Sequence, residues 1–188
     1  MTHANAPLTG ILLLALALVL SAAAGGGRGA RPGEFHIPVQ ETAREQFAVA
    51  RRQQQNAQGV FDAPLKEREL RIAIRAYEKV AELFPNDTEW TPVAQLLIGD
   101  LHRALREHHA ATVQYQTVLQ KYPEDTSVRH AALFGMGQAL DELKRPQEAE
   151  TYYRLLIEEA TLSGASDEAT QNMVAIARRR VRTIQVLR

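Results

Sequence analysis

PVAQLLIGDLHRALREHHAATVQYQTVLQKYPED, residues 92–125, decides the fold. Its apolar residues recur at intervals of three and four on both sides of a polar turn at Glu107–His109. That pattern predicts two amphipathic helices, with Pro123 stopping the second. One such hairpin cannot bury its apolar face alone, and the chain supplies neighbours at a fixed spacing. Ala73, Ala111 and Ala149 are 38 residues apart, as are Tyr77, Tyr115 and Tyr153; Pro85 repeats at Pro123 and Gly99 at Gly137. Self-similarity at this period predicts stacked helical hairpins with a continuous core.

On the C-terminal side, Val128–Leu143 and Gln147–Thr161 predict a third hairpin, with Pro146 at the start of its second helix, where a missing N–H costs nothing. Towards the N-terminus, Gln40–Ala57 and Leu65–Phe84 predict the first hairpin. Asp62 caps its second helix and Pro64 occupies the first turn. The loop Asn86–Thr91 carries the only tryptophan, Trp90, read either as a lid on the inter-repeat core or as a ligand-stacking ring. After a turn at Ser163–Ala165, Ser166 is expected to cap a closing helix whose buried stripe is Val174, Ala177, Val181, Ile184 and Leu187. Residues 39–165 are the expected repeats and residues 166–188 the expected cap, because an array must hide its last apolar face.

Residues 1–24 contain the uncharged run Leu8–Ala24 and then small residues before Gly25. This suits a cleaved signal peptide, or an uncleaved anchor: as a helix it would span about 26 Å, short of the ~30 Å hydrocarbon core. The only positive charges near it, Arg28 and Arg31, follow the apolar run. An exported protein is expected, periplasmic or in the cell envelope. Residues 25–38 hold five glycines and two prolines and read as a disordered linker.

The chain has 22 basic and 22 acidic residues and no cysteine. Neutrality gives no global field for nucleic acid. The missing cysteine removes disulfides, thiolate catalysis, cysteine-ligated zinc and a lipidated N-terminal cysteine. There is no nucleophile elbow, phosphate-binding glycine loop or dinucleotide fingerprint, and the adjacent Glu158 and Glu159 point about 100° apart. The expectation is a non-catalytic protein with no cofactor.

Gly99, Ala111, Tyr115 and Pro123 in the second repeat resemble the tetratricopeptide repeat, as do Gly137, Ala149 and Tyr153 in the third, where Thr161 stands in place of Pro. The first repeat carries Ala73, Tyr77 and Pro85 without the glycine. The resemblance implies an all-α, right-handed superhelical array of about three hairpins plus a closing helix, acting as a protein–protein interaction module or scaffold. The loop Tyr122-Pro123-Glu124-Asp125-Thr126 looks like those of bacterial envelope members of the family.

First helices line the concave face of such arrays. The resemblance therefore places Val93, Leu96, Asp100 and Arg103 in a partner-binding groove, with Ala131, Phe134, Gln138 and Asp141 one repeat on. Leu96 and Phe134 equally suit a packed core. Expected partners are a protein or peptide, or a second copy of the chain, with membrane contact only through an uncleaved N-terminal segment. The ends or convex face could instead join a larger complex. On the closing helix, Arg178, Arg179 and Arg182, beside Arg180, read either as a solvated face or as a basic docking patch for anionic headgroups or an acidic partner. His102, His108 and His109 are the one set of histidines with a metal or small-ligand reading, without the spacing of a zinc motif.

Overall fold

Residues 36–187 are described by the structure, a computed structural model. The expected signal peptide or anchor, and most of the glycine-rich linker, lie outside the described residues. Seven helices follow in order among the described residues: α1 (Ala43–Gln58), α2 (Ala63–Leu83), α3 (Trp90–Ala104), α4 (His108–Lys121), α5 (Thr126–Glu142), α6 (Pro146–Leu162) and α7 (Glu168–Val186). No strand occurs among them. The chain is all-α, and α1–α2, α3–α4 and α5–α6 are the three hairpins.

Each helix start has a local cause. The Thr42 hydroxyl accepts from Glu45 N at 3.2 Å and donates to the Glu45 carboxylate at 2.9 Å, opening α1. Asp62, Asp125 and Asp167 each accept from the backbone N–H three residues on and open α2, α5 and α7. Asp167, not Ser166, therefore caps the closing helix. Asp87 gathers the N–H groups of Glu89, Trp90 and Thr91. This draws Trp90 out of the expected loop into the first position of α3, where its ring packs 5.1 Å from that of Phe47. The lid reading of Trp90 agrees with this contact. Ile37 packs on the first core cluster, and the buried Gln46 side chain bonds Pro38 O and Gln40 N, so the chain is tied down ahead of Val39.

Two turns repeat at the 38-residue period. Arg106 and Lys144 both have φ near +61°, the left-handed region, and each ends the first helix of its hairpin in a three-residue link. The first hairpin uses a four-residue link at 59–62 instead.

The first helices touch one another in series, α1 with α3, α3 with α5 and α5 with α7, whereas α2, α4 and α6 do not. The first helices are therefore the inner layer. Two apolar clusters fill the array, one from α1–α3 around Tyr77 and one from α4–α7 around Tyr115 and Tyr153. Val93 packs against both.

The Tyr115 ring fixes the joint between the second and third hairpins. A Cβ on Gly99 would stand 2.6 Å from its ring, and one on Gly135 would stand 2.5 Å away. The ring therefore sits in a notch cut from α3 on one side and α5 on the other. Gly137 makes the same notch for Tyr153. The notch lets helices close around a large buried side chain at interior packing density.

The expected buried stripe of α7 needs one correction. Ala177, Val181 and Ile184 are buried and Val174 is half-buried against the second cluster, but Leu187, which follows the last helical residue of α7, is 80% exposed.

Replacing Gly135 with Val should lower the thermal midpoint by several degrees, since overpacking a fixed ring costs roughly 1–3 kcal/mol. Lys144→Gly should raise it, by up to about 1 kcal/mol of relieved left-handed strain. Thermal unfolding followed by circular dichroism reads both.

Candidate interaction surface

The inner layer carries every residue assigned to the groove. Leu96 and Phe134 are half-buried and pack against the second core cluster, with the Phe134 ring 6.2 Å from that of Tyr153. They are part core and part surface, because each sits at the edge of the stripe that faces the paired second helix. Val93 and Ala131 are likewise half-buried.

The polar residues are tied to one another rather than held free. The Tyr115 hydroxyl donates to Asp100 Oδ1 at 2.6 Å, and the Tyr153 hydroxyl donates to Asp141 Oδ2 at 3.0 Å. Tyr77 does the same in the first hairpin, donating to Gln54 Oε1 at 2.7 Å. Burial pushes the Tyr77 hydroxyl up to about 12. Tyr115 and Tyr153 are raised further, by burial and then by the carboxylates they bond. All three hydroxyls therefore stay protonated donors across the physiological range.

Bonds between hairpins complete the chain. Arg103 Nη1 on α3 donates to Gln138 Oε1 on α5 at 2.8 Å. Arg180 on α7 donates to both oxygens of Asp141 on α5, at 2.7 and 3.1 Å. Glu142 Oε2 stands 3.4 Å from Arg103 Nε and 2.9 Å from His108 Nδ1, without hydrogen-bond geometry to either. Arg103, Gln138 and Asp141 thus join successive first helices, which sequence spacing could not reveal.

Asp100 is different. Its Oδ1 takes the Tyr115 hydroxyl, but the nearest cation, Arg103 Nη1, is 3.8 Å away, too far for a hydrogen bond. Its side chain is 45% exposed. Burial of the rest pushes its carboxyl up, against the opposing pull of the Tyr115 hydroxyl and of Arg103. Asp141, with a Tyr hydroxyl and a bidentate guanidinium, is what Asp100 becomes once a cation reaches it.

The histidines do not converge. His102 Nδ1 lies 2.7 Å from Glu107 Oε2, and this bond leads the causes that hold the Glu107 carboxyl below the usual range. His108 faces Glu142, and His109 is exposed. Among the described residues, no group of three or more His, Cys, Asp or Glu could hold a metal ion. Arg178, Arg179 and Arg182 are all exposed on α7. Arg180, left out of that patch, turns inward to Asp141.

Sequence reasoning placed Arg180 only in the arginine cluster, without its bond to Asp141, and missed Glu142 and Gly135. Gly135 had a signal in the pair it forms with Gly137, since two glycines within one helical turn mark a close approach.

The tetratricopeptide repeat family model matches residues 93–125 and 131–161, covering α3–α4 and α5–α6. These segments are similar to a repeat that generally mediates protein–protein interaction. The first hairpin and α7 lie outside the match. No curated protein matches the chain.

Removing the Arg180 guanidinium should loosen α7 alone. The pair is part-exposed, so Arg180→Ala should cost only roughly 1 kcal/mol. Hydrogen exchange should quicken in α7 and stay unchanged in α1 and α2.

Proposed function

We propose that this chain is a non-catalytic interaction module that binds a protein or peptide segment along its inner layer, with Asp100 receiving a lysine or arginine of the partner. The observation that carries this reading is the half-used Asp100 carboxylate. Leu96, one helical turn before it, offers apolar surface on the same side, and Phe134 offers the corresponding surface on α5.

Magnitudes favour the charge as the decisive contact. Full burial of a Leu and a Phe yields roughly 3–6 kcal/mol. Here both are already half-buried, so a ligand gains less. A micromolar complex needs about 8 kcal/mol. A hydrogen-bonded ion pair at Asp100, worth roughly 1.5–3 kcal/mol, supplies a large part of the difference. The neighbouring polar groups already bond one another, and breaking those bonds would offset the gain.

Peptide libraries of varied charge, screened by fluorescence anisotropy, test this. Selected ligands should carry a basic residue beside an apolar one. Asp100→Asn should weaken them by roughly 10–100-fold, the ratio that corresponds to the same hydrogen-bond energy. Binding to the wild type should also fade as pH falls through the raised Asp100 pKa, because protonation removes the charge. The Asp100→Asn variant should lack that step. Ligands indifferent to both Asp100→Asn and Phe134→Ala would remove the inner layer from consideration.

A second reading uses the outer layer. An open cleft of ≈ 430 Å³ lies between α4 and α6, floored by Met136 and Leu140, with Val113 67% exposed at its edge. A scaffold role through this convex face predicts partner loss on Val113→Glu and none on Asp100→Asn.

The location proposed for this module is a bacterial cell envelope. The support is the apolar run Leu8–Ala24, its small-residue end and the envelope-like loop at Tyr122–Thr126. Cell fractionation with N-terminal mass spectrometry decides it. A mature chain starting near Gly25 in the periplasm, or a full-length one in the membrane fraction, fits; a full-length cytosolic chain does not.

A further inference from the structure

We propose that the exposed face of α7 docks on an anionic lipid bilayer, independently of the inner-layer groove. Three observations converge on this face.

The first is charge. The last twenty residues contain five arginines and no acid, while the whole chain balances 22 against 22, so residues 1–168 carry a formal charge of −5. Arg180 is spent on Asp141. Arg178, Arg179 and Arg182 are exposed, and no acidic group among the described residues lies within 4.0 Å of them.

The second is position in the array. Asp125 and Asp167 cap α5 and α7 and are 42 residues apart. At that offset Val128, Gly135 and Ala139, all buried on α5 with Gly135 against the Tyr115 ring of the preceding hairpin, correspond to the buried Thr170, Ala177 and Val181 of α7. α7 thus corresponds in position to the first helix of a hairpin. Gly137, which admits the Tyr153 ring of α6, and the buried Met136 and Leu140 on either side of it correspond to Arg179, Arg178 and Arg182. Arg179 stands where Gly137 admits the Tyr153 ring. An arginine there blocks the close approach that a packed partner helix needs, so an acidic helix completing the hairpin fits poorly. A fluid surface of phosphate groups makes no such demand, and guanidinium groups match phosphate geometry.

The third is apolar exposure beside the charge. Ile176 is 48% exposed and Val186 85%, both on the solvent side of α7. No described helix is long and apolar enough to cross a membrane. A basic helix with a few exposed apolar side chains suits lying on the bilayer instead.

Each arginine near an anionic surface gives roughly a fivefold gain in partitioning, so three give about a hundredfold at low ionic strength. Screening over about 8 Å at physiological salt should cut this sharply. The test is co-sedimentation of the full chain with phosphatidylcholine vesicles and with vesicles that also contain phosphatidylglycerol. The apolar N-terminal run contributes alike to both, and comparing wild type with the Gln variant separates the α7 arginines from Arg28 and Arg31. Wild type should prefer the anionic vesicles about a hundredfold, and salt should erase most of the preference. The triple variant R178Q/R179Q/R182Q should lose it and R178K/R179K/R182K should keep it. All three positions are exposed, and circular dichroism checks that the fold is retained. Undiminished preference in the Gln variant, or no preference in the wild type, overturns the proposal. So does wild-type binding of soluble polyglutamate without anionic-vesicle preference, which would reassign the patch to an acidic protein.

Discussion

The joint between the second and third hairpins depends on one buried aromatic ring. Tyr115 is wedged between Gly99 of its own hairpin and Gly135 of the next, and its hydroxyl is held by Asp100. The ring needs both notches to be buried, and both helices need the ring to fill the space between them. Because the hydroxyl must be satisfied once buried, an acceptor is fixed on the inner face. Core packing thereby sets where the polar groups of the inner layer stand. Tyr153 and Asp141 repeat the arrangement, and Tyr77 with Gln54 gives an uncharged version.

That coupling divides the inner layer into used and unused groups. Arg103, Gln138, Asp141 and Arg180 join α3 to α5 and α5 to α7. Their bonds are part-exposed, so they add less to stability than to the angle at which hairpins meet. Among the described inner-layer carboxylates, Asp100 combines a tyrosine bond and a part-exposed side chain with a cation, Arg103, that stays beyond hydrogen-bond distance at 3.8 Å. The difference between Asp100 and Asp141 is a difference of neighbour, since only Asp141 has an arginine from the following helix within reach.

The first and last described helices bury their faces differently. At the start, Ile37, Gln46 and Trp90 close the first cluster with apolar contacts and backbone hydrogen bonds. At the finish, α7 buries one face and turns arginines outward where another helix would pack. A helix face left uncovered must be polar. A neutral set of glutamates and lysines would meet that need equally well, so the all-arginine choice calls for a further cause, and an anionic surface supplies one.

The helices, their pairing and their period are readable from the order of residues alone. Local rules carry this information: capping aspartates, prolines at helix starts, three- and four-residue apolar spacing and the recurring Ala and Tyr positions. Even so, Trp90 entered α3 because Asp87 reached its N–H, and Ser166 lost the cap to Asp167, since competing caps one residue apart are settled by backbone geometry. Which groove residues are free is set by how the hairpins stack. Whether Asp141 is spent and Asp100 is not depends on Arg180, 39 residues beyond Asp141 on another helix, and whether Leu96 is surface or core depends on a helix packed across it. Periodicity reports which face of a helix is apolar. It cannot report which partners arrive from elsewhere in the chain, because those distances exist only once the hairpins have stacked.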